Sequence, residues 1–237
     1  MRDPNLEDKY CDIKSYNFPK WDVVDLSIWK MYQDDPDNYW GQSYLYLYKD
    51  SYIKFHKETI IKYSNEAKIS PLLLASIAWQ EAGGKPDNLK PQVLLFRQLI
   101  DSFKNNNDYS NRVSVGIVAM QIRVVAETLG INPRNLSNRQ QLQISRCLQD
   151  DDFNLRMVAL HLHSLIIHDF PDADTLNLND AQIVLAGSRY NRGIERNLED
   201  FTTALYLPKD DIKRDYISYG LAIIKRRERI KKLMGIQ

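Results

Sequence analysis

Residues 69–84 read ISPLLLASIAWQEAGG, and this stretch carries the signals of one complete helix. Ser70 is a good N-cap because its hydroxyl can accept a hydrogen bond from an unpaired backbone N–H, and Pro71 suits the first helical position, where no donor is needed. Four apolar residues recur at the spacing of a buried helix face: Leu73, Leu74, Ile77 and Ala78. Gly83 and Gly84 can supply the left-handed residue that ends a helix. The stretch predicts a buried helix over residues 71–81.

Glu81 falls in the last turn of this helix, which is an unfavourable place for a negative charge. The unpaired carbonyls there carry the negative end of the helix dipole, and apolar neighbours such as Trp79 add desolvation. A carboxyl group that keeps its proton near neutral pH can act as a general acid, as cleavage of a glycosidic bond requires. The alternative is a solvated glutamate at the end of a core helix, and the segment taken alone favours that alternative.

The bulk composition describes a globular chain. Its 237 residues, 43% hydrophobic and 27% charged, suffice for one domain with an extension or for two small domains. The charged first residues lead us to expect no secretory signal, and no apolar run has the length of a membrane span. Since 32 Lys and Arg balance 31 Asp and Glu, a generally basic nucleic-acid binder is disfavoured. The basic run over residues 225–232 is interpreted as a solvated helix face, with binding of a polyanion or acidic partner as the alternative.

The cysteines and histidines indicate no metal site, and no cofactor is predicted. Cys11 and Cys147 lie far apart and outside any metal-ligand spacing. They could form a disulfide in an oxidising compartment, but two free, buried thiols are slightly favoured. His161 and His163 share a probable helix, but at i and i+2 they point to different faces.

Residues 1–48 are rich in Asp, Tyr and Trp and are predicted to form an extension packed onto a helical body over residues 49–237. The aromatic residues indicate core or interface packing, with a carbohydrate or partner surface as the alternative. They are Trp21, Trp29, Tyr39, Trp40, Tyr44, Tyr46 and Tyr48. Further helices are predicted over 51–67, 93–103, 154–168, 181–190 and 212–233, and a helix after the capping box of Ser137 and Gln140. Strand signals are limited to alternation at 44–48 and a hairpin near Val113.

Four blocks of sequence match, in order, the motifs of one known family. They are PLLLASIAWQE at 71–81, SVGIVAMQI at 114–122, DFNL at 152–155 and YNRG at 190–193. Over roughly residues 51–220 the chain therefore resembles lytic transglycosylases and goose-type lysozymes. The resemblance implies a mainly α, lysozyme-like helical domain of the transglycosylase type, behind an aromatic, acidic N-terminal extension.

The resemblance also implies roles for particular residues. Glu81 would be the single acid/base, and Ser114, Gln121, Tyr190 and Asn191 would line the glycan cleft. An amide can both donate to and accept from sugar hydroxyl and N-acetyl groups, and a tyrosine offers an apolar face with a polar tip. The structural alternatives are an interior Gln, a core Tyr, and a helix stop at Asn191 and Gly193.

Three departures from the family pattern concern substrate contacts rather than the fold. Ala82 follows the glutamate where the family usually has Ser, so a hydroxyl near the site is missing. The gap between Gly116 and Met120 is longer than in the common Gly-Leu-Met-Gln form. Arg192 stands where a small residue is common.

The expected activity is cleavage of peptidoglycan glycan strands between N-acetylmuramic acid and N-acetylglucosamine, by a lytic transglycosylase or a muramidase. A second carboxylate would favour hydrolysis, and Asp87, Asp101 and Asp108 are candidates that no motif separates. The alternatives are a non-catalytic lysozyme-fold docking protein and a hydrolase of another N-acetylated glycan such as chitin.

A wall-degrading enzyme made in the cytoplasm without a signal peptide needs another route to the periplasm. We therefore expect an antibacterial effector that is delivered by a phage holin, a secretion apparatus or a larger carrier polypeptide. An immunity protein is the expected partner, and the N-terminal region is a candidate docking surface for delivery.

Overall fold

The computed structural model of the protein describes residues 10–11, 17–31, 43–86 and 90–236. These ranges hold twelve α-helices, one antiparallel hairpin and two 3₁₀ segments, Pro133–Asn135 and Ile212–Ile217. The helices are α1 (Val23–Met31), α2 (Tyr44–Phe55), α3 (Lys57–Ala67), α4 (Pro71–Glu81), α5 (Lys90–Lys104), α6 (Asp108–Asn111), α7 (Ile122–Thr128), α8 (Asn138–Leu148), α9 (Asp151–Asp169), α10 (Asp180–Arg192), α11 (Leu198–Tyr206) and α12 (Ser218–Met234). The hairpin pairs β1 (Ser114–Val115) with β2 (Met120–Gln121). The predicted mainly α class is confirmed.

The chain divides into two compact units. The first combines residues 1–55 with 81–158, and the second combines 56–80 with 159–237. The part of the N-terminal extension that the structure describes thus belongs to the same unit as Glu81 and the hairpin. The second unit has an apolar core of buried residues from α10, α11 and the 3₁₀ segment: Val184, Leu185, Phe201, Ala204 and Ile217.

Most predicted helices are confirmed with shifted ends. The helix predicted over 71–81 is α4, and the capping box of Ser137 and Gln140 opens α8, with both of its reciprocal hydrogen bonds present. The helix expected over 51–67 consists of two helices, because His56 separates α2 from α3. The hairpin predicted near Val113 is the β1–β2 pair.

The strand signal at residues 44–48 is wrong, because these residues form the first turns of α2. Their apolar and polar residues alternate, but the residues that α2 buries, Leu45, Lys49, Tyr52 and Ile53, are spaced four, three and one apart. This spacing is the period of a helix. The pattern over all twelve residues of α2 is therefore a better guide than the alternation over five of them.

The preference for free thiols is also wrong. Cys11 and Cys147 form a disulfide that links the N-terminal segment to α8 across a sequence separation of 136 residues. The same segment is held at the start of α9, where the buried carboxylate of Asp151 accepts hydrogen bonds from the Phe18 backbone N–H (2.8 Å) and from Lys20 Nζ (2.6 Å). Spacing along the chain could not reveal this pairing, since the two cysteines meet only through the fold.

Candidate active site

Glu81 is the last residue of α4, and it is only partly buried. The preceding residues 73–79 are all buried, and so is Ala82 immediately after it. The chain then turns through Gly83 and Gly84, which have φ angles of 73° and 82°. A residue with a Cβ is strained in this region, so the two glycines explain why the helix ends at the carboxylate.

Aromatic residues of the N-terminal segment lie directly against this glycine turn. A Cβ added to Gly83 would come within 2.9 Å of Leu45 and 3.1 Å of both Trp21 and Tyr48, and one added to Gly84 would lie 3.6 Å from Trp29. The rings also contact one another, with centroid distances from Trp21 of 4.9 Å to Tyr48 and 6.5 Å to Trp29. Trp21, Trp29 and Tyr48 therefore line the glycine turn that follows Glu81, in agreement with the packing interpretation. Tyr39 and Trp40 lie outside the described residues.

The last turn of α4 before Glu81 is supported by the basic run of α12. The Arg226 guanidinium lies 4.9 Å from the centroid of the Trp79 ring and donates a hydrogen bond to Gln80 Oε1 at 3.2 Å. Arg229 lies over the same ring at 6.0 Å. Part of the run that the sequence presents as a solvated face therefore packs on α4.

Ser114 and Gln121, two of the predicted substrate-binding residues, are brought together by the hairpin. They are directly paired across the antiparallel strands, and both are partly exposed. Val115 and Met120, the other pair, are buried. The pleat thus gives one apolar pair that anchors the hairpin and one polar pair at its open end.

The turn of the hairpin is clamped by Asn154 from α9. The Asn154 side chain accepts from the Val118 N–H at 3.0 Å through Oδ1 and donates to the Val118 carbonyl at 2.9 Å through Nδ2. Gly116, with φ of 88°, leaves no room for a side chain, since a Cβ would lie 2.6 Å from Asn154 Nδ2. Lys90 at the start of α5 donates to the Gly116 carbonyl at 2.7 Å. These contacts fix the longer Gly116–Met120 loop.

The Gln121 amide is oriented by a neighbour on α7. Arg123 Nε donates a hydrogen bond to Gln121 Oε1 at 2.7 Å. This bond holds the amide with its oxygen towards Arg123. Hydrogen bonding to a charged donor is stronger than to a neutral one, so the orientation is well defined.

Tyr190 and Asn191 lie in the last turn of α10, in the second unit. Tyr190 is partly buried, with ring centroids 6.1 Å from His161 and 6.5 Å from Tyr219, and Asn191 is exposed. Gly193 caps the helix with φ of 83°, so the helix stop considered for this block is present. Burial lowers the pKa of His161 to about 4, which keeps the imidazole beside Tyr190 neutral at neutral pH.

Two arginines hold the segment around the Tyr-Asn block in place. Arg189 is buried, forms a bidentate ion pair with Asp169 (2.7 and 2.9 Å), and donates to the Arg196 carbonyl in the following loop. Arg192 donates to Asp215 Oδ2 at 2.6 Å, ahead of α12. Arg192, which stands where the family usually has a small residue, therefore makes a structural contact.

Comparison with family models, with curated proteins and with solved structures gives no match to this chain. The lysozyme-like relationship therefore rests on the four sequence blocks and stays a prediction. The arguments below depend on the residues of this chain and their contacts.

The candidate second carboxylates differ sharply in their surroundings. Asp101 is 1% exposed and accepts hydrogen bonds from the backbone N–H of Tyr109 (3.1 Å) and from the backbone N–H and hydroxyl of Ser110 (2.7 and 2.6 Å). It caps the short helix α6 and is unsuited to activating a water molecule. Asp108 is exposed at the start of that helix, and Asp87 lies outside the described residues.

A carboxyl group near the hairpin clamp also has a shifted pKa. Desolvation by burial raises the pKa of Asp150, and the neighbouring Asp152 and Asp151 carboxylates add to the rise, while the hydrogen bond from the Phe153 N–H opposes it. Asp150 precedes α9 and its carboxylate accepts from Phe153, so it caps the helix that carries Asn154.

Sequence reasoning missed several residues whose contacts shape this region. Asn154 was noted only as part of a motif, and its clamp on Val118 explains why an amide stands there. The contact of Trp21 and Trp29 with the glycine turn joins residues more than fifty positions apart, and no local pattern signals it. Among the described residues, no group of His, Cys, Asp or Glu is arranged to hold a metal ion.

Proposed function

We propose that this protein is a glycosidase that cleaves peptidoglycan glycan strands between N-acetylmuramic acid and N-acetylglucosamine, with Glu81 as general acid/base. The observation that carries the proposal is the end of α4, where a helix with a buried middle, residues 73–79, places one partly exposed carboxylate just before a glycine turn that aromatic residues contact. Aromatic faces beside a carboxylic acid suit the apolar faces and the glycosidic oxygen of a sugar chain.

The hairpin in the same unit supports a polar, sugar-binding role. Ser114 and Gln121 form a partly exposed pair on strands whose turn the Asn154 clamp holds at Val118, and Arg123 orients the Gln121 amide. A serine hydroxyl and an amide can hydrogen-bond the hydroxyl and N-acetyl groups of an amino sugar. The roles of Tyr190 and Asn191 in glycan binding rest on the resemblance.

In the proposed reaction, protonated Glu81 donates its proton to the glycosidic oxygen as the bond from that oxygen to the sugar carbon breaks. The resulting carboxylate then takes a proton from the attacking group, either a hydroxyl of the same sugar, which closes an anhydro ring, or a water molecule. Asp101, one of the three candidate second carboxylates, already accepts three hydrogen bonds at the start of α6, and this supports the route that needs only Glu81 over one that uses Asp101.

We further propose an antibacterial role outside the cytoplasm. The Cys11–Cys147 disulfide supports this location, because such bonds persist in oxidising compartments such as the periplasm. Delivery by a secretion apparatus, a holin or a carrier polypeptide, and neutralisation by an immunity protein, follow from the same role.

The decisive experiment compares Glu81→Gln with wild type on purified sacculi. We expect the variant to lose at least about 100-fold in the rate of muropeptide release, because general acid catalysis contributes that much or more. Glu58→Gln, at an exposed position of α3, is the matched control and should keep full activity. Mass spectrometry of the products separates anhydro ends from reducing ends.

Other outcomes would point to the competing functions. Full lytic activity of Glu81→Gln would overturn the proposal. Binding of sacculi without any release by wild type would favour a non-catalytic docking protein. Release of sugars from chitin but not from sacculi would move the substrate to another N-acetylated glycan.

A further inference from the structure

One covalent bond holds the start of the chain on the first compact unit. Cys11 is joined to Cys147 near the end of α8, and these are the only two cysteines of the chain. Cys147 is fully buried, whereas Cys11 is partly exposed. We call residues 17–31, which follow Cys11 and include α1, the clasp.

A polar contact beside the bond docks the start of the clasp on the first residue of α9. Asp151 is fully buried, and its carboxylate accepts hydrogen bonds from the Phe18 backbone N–H at 2.8 Å and from Lys20 Nζ at 2.6 Å. The backbone N–H of Asp151 donates in turn to Asn17 Oδ1 at 2.7 Å. Asp151 follows Cys147 by one helical turn of sequence, so the bond and the polar contact share the junction between α8 and α9.

The same part of the clasp packs on α2. The centroid of the Phe18 ring lies 5.2 Å from that of Tyr48, 5.6 Å from that of Tyr52 and 5.4 Å from that of Phe55. The Tyr48 hydroxyl donates to the Pro19 carbonyl at 2.7 Å. These contacts all lie within the first unit.

The tryptophans of the clasp contact the turn after Glu81. Trp21 is fully buried and lies 3.1 Å from the position of a Cβ added to Gly83, and Trp29 lies 3.6 Å from one added to Gly84. The clasp therefore connects the α8–α9 junction with the turn that follows the candidate acid. Displacing it would remove side chains against which this turn packs.

We infer that the Cys11–Cys147 bond is a redox-controlled lock on the clasp, and that its reduction loosens the turn after Glu81. With the bond formed, the clasp is anchored on both sides, at Cys11 and at Tyr44, where α2 begins, about 33 residues later. A cross-link that closes a loop of this length lowers the population of the open form roughly 100-fold or more in the chain-entropy model. After reduction, only the α2 side of the clasp is held covalently.

The reductant of this lock is a low-molecular-weight thiol. Its thiolate attacks Sγ of Cys11, the more exposed of the two residues, so the S–S bond breaks, a mixed disulfide forms on Cys11, and Cys147 leaves as a thiolate that takes up a proton. A second external thiolate attacks the mixed disulfide, and Cys11 leaves and is protonated in the same way. Two external thiols thus become one disulfide, and two electrons and two protons pass to the protein. A disulfide donor reverses the exchange.

The lock ties the state of the clasp to the compartment. Thiols are kept reduced in the cytosol, whereas disulfides persist in the periplasm. The chain is then loosened where thiols are abundant and locked where the cell wall lies. This consequence for lysis rests on the proposed function, but the locking of the clasp does not.

The test of the lock is hydrogen exchange of the full chain, read by mass spectrometry, with and without dithiothreitol. We expect the amides of residues 17–22 and 82–86 to exchange at least about tenfold faster after reduction, because they exchange from the opened clasp. Residues 184–189 of α10, a buried stretch of the other unit, are the internal control and should not change. Alkylation of two thiols verifies that reduction is complete.

Cys11→Ser/Cys147→Ala provides the locked-open comparison. It should show the fast exchange without dithiothreitol and no further change with it, which controls for other effects of the reagent. Circular dichroism checks its folding, and if the variant does not fold, reduced wild type still provides the comparison.

Muropeptide release from sacculi measures the effect on the candidate site. Reduced wild type and Cys11→Ser/Cys147→Ala should release muropeptides at least about threefold more slowly than oxidised wild type, since misplacing a catalytic group by about 1 Å can cost about 100-fold. Dithiothreitol should leave the rate of the cysteine variant unchanged.

The inference is overturned if residues 17–22 exchange equally fast before and after complete reduction. Faster exchange along the whole chain, residues 184–189 included, would also overturn it, because the bond would then stabilise the entire fold. Faster exchange at 17–22 with unchanged exchange at 82–86 and unchanged lysis would show that the clasp does not position the site. If neither redox form releases muropeptides, the proposed function fails, while the exchange result still decides the lock.

Discussion

Helices α4 and α5 are both rich in apolar residues at helical spacing, but the fold treats them in opposite ways. In α4 the residues from Leu73 to Trp79 are all buried, polar Ser76 included, because its hydroxyl donates to the Leu72 carbonyl. In α5 the buried residues are Leu94, Gln98 and Asp101. Five apolar residues of α5 are exposed, and we call them the α5 face: Val93, Leu95, Phe96, Leu99 and Phe103.

The difference shows that periodicity predicts a helix without predicting which side is buried. In α4 no side of the helix is polar, since all of its middle residues except Ser76 are apolar. In α5 two polar side chains find specific partners on α6 and α8, and those hydrogen bonds decide the orientation. Buried polar groups must be satisfied, so they position a helix as firmly as apolar burial does.

The largest expected effect compares the same substitution in the two helices. Leu74→Ala removes a fully buried side chain from α4 and should lower the free energy of unfolding by about 3 kcal/mol. Leu99→Ala on α5 should change it by no more than about 0.5 kcal/mol, because this side chain is already 55% exposed. Urea unfolding of both variants checks the comparison, and equal losses would show that the α5 face is covered in solution.

The next effect tests the buried polar side of α5. Asp101→Ala should lower the free energy of unfolding by about 2–3 kcal/mol, because it removes three hydrogen bonds and leaves the buried Ser110 donors unsatisfied. The neighbouring Ser102→Ala, at an exposed position, is the control and should cost little. If Asp101→Ala unfolds at the wild-type urea concentration, polar contacts do not orient α5.

A partly buried histidine with a shifted pKa lies on a third helix, α9. The pKa of His161 is about 4 in the folded protein and about 6.5 in the unfolded chain, so only the unfolded chain takes up a proton between these values. Stability therefore falls as the pH falls from about 6.5 to about 4, by about 2 kcal/mol at pH 5 relative to pH 7.5. His161→Gln should remove this part of the pH dependence, whereas Ser164→Ala, at an exposed position of the same helix, should keep it. Parallel pH profiles for wild type and His161→Gln would contradict the assignment.

The smallest effect concerns how the two helices end. Gly84 follows α4 with φ of 82°, and its added Cβ would make only an ordinary 3.6 Å contact with Trp29, so Gly84→Ala should cost about 1 kcal/mol of backbone strain. Asn105 follows α5 with φ of 54°, and Asn105→Ala should cost about half as much, because asparagine already carries part of that strain. Thermal unfolding measures both, and a cost-free Gly84→Ala would mean that the turn can relax.

The sequence predicted the parts of the fold that local rules govern. Ser70 and Pro71 located the start of α4, the two glycines indicated its end, and Ser137 with Gln140 located the start of α8. These signals act within one or two helical turns, where the unpaired backbone groups are satisfied. The alternation at residues 44–48 misled because five residues are too few to separate the period of a strand from that of a helix.

The sequence proposed residues for the candidate site but not how the fold arranges them. Ser114 and Gln121 were chosen by motif, and their direct pairing follows from the hairpin register. The Asn154 clamp, the aromatic wall beside Glu81 and the Cys11–Cys147 bond each join residues at least thirty positions apart. Contacts of that range depend on how helices pack, which no local pattern encodes.

By itself the sequence determined where α4 and α8 start and that one carboxylate stands at the end of a buried helix, because capping, glycine and apolar spacing act locally. Only the tertiary structure decided that α5 turns its apolar face outward, that Asp101 is consumed in capping α6, and that aromatic residues of the N-terminal segment wall the turn after Glu81. The orientation of α5 and the role of Asp101 depend on which buried polar groups find hydrogen-bond partners. Those partners lie on segments that are distant in the sequence and meet only in the folded chain.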